Sequence, residues 1–236
     1  MSKWLIIFSL AVLSACSSTK PVAQKSGMIE LSPNIYVDPA MSSARRQQLL
    51  DDIKRAEGRI ANFFGGEMQS TPTIHACVTK QCLQAFSDAH LEFEAKALGA
   101  STILLAEAGC NETIITHEMT HIELHQRLGK DINLNKIPMW FDEGLAVLAC
   151  KDPRYTKGAG LHAHHGIQLL KTESQWLSAI NNYKKPYQRS YQRVQEWHAS
   201  AGTQGLLGVI DHMKRTGEFS LAPTDKSTLS KNIAQY

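Results

Sequence analysis

Residues 116–121 read Thr116-His117-Glu118-Met119-Thr120-His121, an HExxH motif. On an α-helix, two histidines four positions apart stand one turn above each other on one face, so both imidazoles can reach a single ion. Glu118 lies beside them, a carboxylate placed to take a proton from water. Hydrolysis by ion-activated water needs this set: neutral imidazoles as ligands, a nearby base and one open coordination position. The motif therefore points to Zn2+, with His117 and His121 as ligands and Glu118 as general base.

The third donor falls to Glu143, in Trp140-Phe141-Asp142-Glu143-Gly144-Leu145-Ala146. HExxH followed at this distance by WFDEG resembles the gluzincins, zinc metallopeptidases whose third ligand is a glutamate on a downstream helix. The resemblance covers about half of the chain, from Ser101 to Phe219, and its specific parts are the two motifs. It implies zinc held by His117, His121 and Glu143, and a zincin-like α+β fold: a small mixed sheet, the HExxH helix and a mainly helical C-terminal lobe. It also implies a Tyr or His from that lobe that stabilises the oxyanion; Tyr187 matches the family's Tyr-x-x-Ser pattern, with Tyr191 and His165 behind it.

Metzincins, the other large HExxH class, continue as HExxHxxGxxH. Here Leu124 and Arg127 stand where the glycine and third histidine belong. His125 lies one further turn along the helix, about 6 Å down the axis, too far to share the ion. Metal-binding imidazoles usually donate their other nitrogen to a carboxylate or carbonyl, and Asp142 and Glu112 are the candidates.

These side chains need two helices to carry them. Asn111 to Leu128 reads as the first, with Asn111 as N-cap, Glu112 in the positive first turn and Gly129 as the stop. Ile115, Met119 and Ile122 form its core stripe. Pro138 opens the second, which ends before Pro153.

Upstream, Glu30 to Asp38 holds a strand around Ile35-Tyr36-Val37. An amphipathic helix follows from Ser43 to Phe64, its core face Leu49, Leu50, Ile53, Ile60 and Phe64, closed by Gly65-Gly66. Pro72 to Val78 reads as a strand. So does Ser101 to Ala106, either as the sheet edge above an active-site cleft or as a buried structural strand. Downstream, helices are expected over Ile167–Thr172, Glu173–Ile180, Tyr187–Ala199 and Gly205–Arg215.

The first residues read as an export signal: Lys3 as the positive n-region and Trp4 to Leu13 as the apolar stretch, too short to span a bilayer. It ends in Leu13-Ser14-Ala15-Cys16, which resembles the lipobox of bacterial lipoproteins, cleaved after residue 15 and acylated on Cys16. By the same resemblance, Ser17 directs the lipoprotein to the outer membrane, facing the periplasm. Residues 16–27 then form a lipidated tether, and residues 28–236 the metallopeptidase domain. Without the leader, roughly 220 residues remain, enough for one sizeable core.

Apart from Cys16 there are four cysteines, Cys77, Cys82, Cys110 and Cys150, which an oxidising compartment can pair in three ways. Cys110 lies seven residues before His117 and Cys150 seven after Glu143, so antiparallel helices would bring them to the same end. The expected bridges are Cys110–Cys150 and Cys77–Cys82.

A net charge of +3 with no basic cluster argues against a nucleic-acid partner. Lys184, Lys185, Arg189 and Arg193 make the densest basic group, read as a solvated helix face. His162, His164 and His165 could form a second metal site or line the cleft; with no carboxylate at ligand spacing, a solvated patch is the better reading. The expected partners are a peptide or protein substrate and, through acylated Cys16, the bilayer. The rival functions are a zinc amidase acting on cell-wall or other non-protein amides, and a non-catalytic binding protein. Glu118, which binding an ion does not require, speaks against the second.

Overall fold

The computed structural model describes residues 27–86, 93–98, 101–129, 136–157, 166–181 and 185–221. The leader, Cys16, all of the tether but Gly27, and His162, His164 and His165 lie outside the described residues.

The protein is a mixed α+β structure built on one five-stranded sheet. Its strands are β1 (Ile29–Ser32), β2 (Ile35–Val37), β3 (Thr73–Ala76), β4 (Ala95–Leu98) and β5 (Thr102–Leu105), in the spatial order β1-β2-β3-β5-β4. The three inner strands are parallel, and both edge strands run antiparallel to their neighbours. Side chains alternate across the sheet as the period of two requires. Ile74, Ala76, Ile103 and Leu105 enter the main core, whereas Leu104 joins Cys77, Cys82 and Leu83 on the other face.

Parallel neighbours need a crossover, and α1 (Ser43–Phe63) supplies it between β2 and β3. The Ser42 hydroxyl caps it by accepting from Arg45 N, and Leu49, Ile53, Ala56 and Ile60 are buried along one stripe. Leu50, expected in that stripe, is only half-buried. A short α2 (Lys80–Gln84) follows β3, and the Cys77–Cys82 disulfide closes the turn between them.

The remaining helices are α3 (Glu112–Leu128), α4 (Met139–Cys150), α5 (Pro153–Thr156), α6 (Glu173–Asn181) and α7 (Pro186–Thr216). α7 is broken at Gly202, where φ is 61° and ψ −167°, a conformation that favours glycine, so the two expected helical stretches lie on either side of a real interruption. α1, α3, α4 and α7 pack with the sheet around a single large core. Among the described residues no helix is long and apolar enough to cross a membrane.

One strand takes the second of its two readings, and two elements differ from the sequence reading. Thr102–Leu105 is flanked by β3 and β4, so of its two readings the buried strand holds. The edge beside it is β4, whose sequence Ala-Lys-Ala-Leu has no β-branched residue and a helical propensity that pairing with β5 overrides. Over Ile167–Thr172 there is only a 3₁₀ turn, Ile167–Leu169. The chain turns there because the carbonyls of Leu170 and Lys171 accept from Trp140 N (3.0 Å) and Met139 N (3.2 Å), donors that the first turn of α4 cannot satisfy itself.

Candidate metal centre

α3 is fixed at both ends. The Asn111 side chain accepts from Ile114 N at 3.1 Å, and Gly129 ends the helix at φ 88°. Ile115, Met119 and Ile122 are buried in the core, which turns His117 and His121 toward Asp142 and Glu143 of α4. The hydroxyls of Thr116 and Thr120 bond back to carbonyls of their own helix, each at 2.7 Å, and so enter the interior without unmet donors.

α4 starts after Pro138 and carries Glu143 just over one turn in. At the next position a Cβ would lie 2.6 Å from the Ser190 carbonyl oxygen and 2.7 Å from Val194 Cγ2. Gly144 is thus what lets α4 close onto α7, and this contact sets where Glu143 points.

The three expected ligands converge. His117 Nε2 lies 3.3 Å from His121 Nε2 and 3.3 Å from Glu143 Oε2, and His121 Nε2 lies 3.9 Å from the same oxygen. Glu143 Oε2 is buried and accepts no hydrogen bond. A tetrahedral ion with bonds of about 2.0–2.1 Å needs donor-to-donor edges of roughly 3.3–3.4 Å, close to this triangle. Two imidazole nitrogens and an orphaned carboxylate oxygen at such spacing form a group that could hold a metal ion.

Asp142 supports one ligand. Its Oδ1 lies 2.7 Å from His121 Nδ1 and its Oδ2 3.1 Å from His125 Nε2, so one carboxylate bridges two histidines. This orients His121 with Nε2 toward the centre. Burial works against charge on both partners, but their mutual attraction prevails: it holds the Asp142 carboxyl far below the usual carboxylate range and lifts His121 to about 9. His125 lies outside the group that could hold an ion, yet it touches the carboxylate that orients His121.

Beside His117 stands the Cys150 thiol. Burial lowers this imidazole's proton affinity, but the neighbouring Cys150 side chain and the carboxylates of Glu143 and Glu118 raise it well above the ordinary value. Glu112, the other candidate, is engaged elsewhere, in ion pairs with Arg55 and Arg59 of α1.

The expected Cys110–Cys150 disulfide is absent; both are buried free cysteines. Cys110 Sγ donates to Ala106 O at 3.4 Å and Cys150 Sγ to Val147 O at 3.6 Å. Arg59 links the two helix ends instead, donating to Cys150 O at 2.8 Å while pairing with Glu112. The two ends are joined as expected, but by a guanidinium rather than by a bond between sulfurs. Burial pushes the Cys110 thiol up to about 11.

An aromatic wall stands beside the ligands. The Tyr187 ring centre is 6.3 Å from that of His117, stacks on Tyr155 at 4.8 Å and meets Trp176 edge-on at 5.0 Å. Burial and the charge of Glu143 push the Tyr187 phenol far up, so at neutral pH it is a hydrogen-bond donor. Nothing in the local sequence pattern marks Tyr155; only folding brings α5 against α7. Tyr191, the alternative on α7, is buried one turn further on.

Comparison of the chain with models of protein families, with curated proteins and with solved structures yields no match. The functional conclusion rests on the geometry of the centre and the motifs that form it.

Proposed function

We propose that the protein is a membrane-tethered zinc hydrolase of gluzincin type that cleaves peptide bonds. The observation that carries this reading is the triangle of His117, His121 and Glu143 donor atoms, one of them an orphaned oxygen. Glu118, a buried carboxylate outside that triangle, adds to it. Two nitrogens and one carboxylate oxygen suit Zn2+, which when bound polarises a carbonyl and lowers the pKa of water.

In this reading His117, His121 and Glu143 hold the ion, and Asp142 keeps His121 in the ligating orientation. Glu118 takes the proton of the attacking water and returns it to the leaving amine. Tyr187 donates its hydroxyl to the oxygen on which negative charge develops. A peptide as substrate is supported by β4, a sheet edge that packs against α3, since an extended chain can pair with such an edge. The Cys77–Cys82 disulfide suits an oxidising compartment such as the periplasm, where acylation of Cys16 would tether the domain.

The test uses soluble protein beginning at Ser17, wild type beside Glu118→Gln, incubated with a periplasmic protein extract. New N-termini are read by mass spectrometry. Cleavages made only by the wild type are expected. If neither protein cuts although both carry zinc, the peptidase reading falls, and cell-wall amides or a binding role replace it.

A further inference from the structure

Among the described residues, one cation away from the candidate metal centre faces a cleft without an anion. A cleft of about 760 Å³ lies between α6, the start of α7 and the turn before α6, with Leu169, Leu170 and Ala179 as apolar walls and Ser174, Gln175 and Arg189 as polar groups. The Arg189 guanidinium is half-buried and has no ion pair or hydrogen bond among the described residues, and no acidic side chain among them lines the cleft. Expected as part of a solvated face, Arg189 instead belongs to a concave surface.

The position is distinct from the metal centre. Tyr187 faces His117, and two residues on, Arg189 is turned about 200° around the helix. Trp176 of α6 meets Tyr187 edge-on and is buried, whereas Ser174 and Gln175 are exposed in the cleft.

The polar side chains of the cleft, Ser174, Gln175, Ser178 and Arg189, are donors or can act as donors. Gln175 Oε1 already accepts from Lys171 N (2.8 Å) and Thr172 N (3.1 Å), which leaves its amide N–H groups to the cleft. Ser174 adds a hydroxyl. One guanidinium fork matches one carboxylate, while a phosphate dianion would call for more positive charge. The apolar walls, with Leu169 71% exposed at the rim, call for an apolar body behind that carboxylate.

We propose that this cleft binds a carboxylate carried on a small apolar body, as presented by the carboxy-terminal residue of a peptide or by a short fatty acid. The proposal does not depend on the metal-centre reading.

Isothermal titration of the mature protein with N-acetyl-leucine, N-acetyl-leucinamide and octanoate tests it, with and without EDTA so that binding at the metal centre is counted separately. Binding of at least one acid is expected, with the amide at least about tenfold weaker, as loss of a charge-assisted pair implies. Arg189→Gln should weaken the acid by a similar factor. Ser174→Asp, at an exposed position where folding is not at risk, should do the same by placing a negative charge in the cleft. Whichever acid binds more tightly identifies the source, peptide terminus or lipid. Equal binding of acid and amide, wild-type binding by either variant, or no acid binding at millimolar concentration overturns the proposal.

Discussion

Two carboxylates on neighbouring helices are enclosed by the protein and treated in opposite ways. Glu123, near the end of α3, is fully buried and accepts from Gln69 N, Ser70 N, Ser70 Oγ and Arg127 Nε at 2.6–3.1 Å. Glu143 faces the middle of the same helix and leaves one buried oxygen with no donor, 3.3 Å from an imidazole nitrogen. The first is saturated and ties the segment after α1 to α3, with Arg127 reaching on to Glu67 O. The second is under-satisfied, a cost that folding carries where a ligand removes it. Saturation marks the fold, and its absence marks the site.

Removing each carboxylate in turn should separate the two roles. Glu143→Gln should abolish tight ion binding and all turnover, while the metal-free protein keeps its urea midpoint to within about 0.5 kcal/mol or gains stability. Glu123→Ala should do the reverse: it costs about 3–5 kcal/mol by stranding Arg127 and three donors, yet leaves one ion bound per folded chain. Metal analysis and urea unfolding of the two variants decide. If Glu143→Gln destabilises as much as Glu123→Ala, the contrast is wrong.

Within the under-satisfied region, holding the ion and doing chemistry should separate. Glu118→Gln is expected to lower turnover about 10²–10⁴-fold at unchanged metal content, the range for a lost general base. Asp142→Asn should act on the ion instead. It keeps the shape but gives up the charge that orients His121, and about 10–100-fold in metal affinity should go with it, measured by competition with a chromophoric chelator.

That division was only partly legible in the sequence. His117, Glu118, His121 and Glu143 could be read because their spacing is local and set by helix geometry, and Asn111 and Gly129 bounded α3 through local chemistry. Asp142 was visible as one of two candidates, because adjacency to Glu143 does not say which imidazole it meets. What stayed hidden is tertiary. Tyr155 reaches the site only when α5 stacks on α7, and β4 becomes an edge strand only by pairing with β5. Glu123 looked like any helical glutamate; its partners Gln69 and Ser70 come from a loop more than fifty residues upstream. The Cys110–Cys150 pairing fails for the same reason: spacing gave the level of each cysteine along its helix but not the rotation that turns Cys150 toward His117.

The smallest expected effect tests the saturated side alone. Desolvation works to raise the Glu123 carboxyl's pKa, but the Gln69 and Ser70 N–H donors, the Ser70 hydroxyl and Arg127 outweigh it and hold the group below its ordinary value. A carboxyl depressed in the folded state contributes stability that is fully present above the unfolded value, about 4.3 for Glu, and is lost as pH falls through the folded value. Asp38, held down by Thr79, Ala40 and Val78 against desolvation, contributes in the same direction. In EDTA, which removes the ion's own pH dependence, the wild-type urea midpoint should therefore drop as pH falls below about 4.3. Each tenfold difference in proton affinity between folded and unfolded chain is worth about 1.4 kcal/mol there. Glu123→Gln, which cannot titrate, should start less stable at pH 7 and fall more gently, so that the two curves converge as the pH is lowered. If they instead run parallel across the acid range, Glu123 is not the titrating anchor of α3, and the saturated half of the comparison rests on packing rather than on charge.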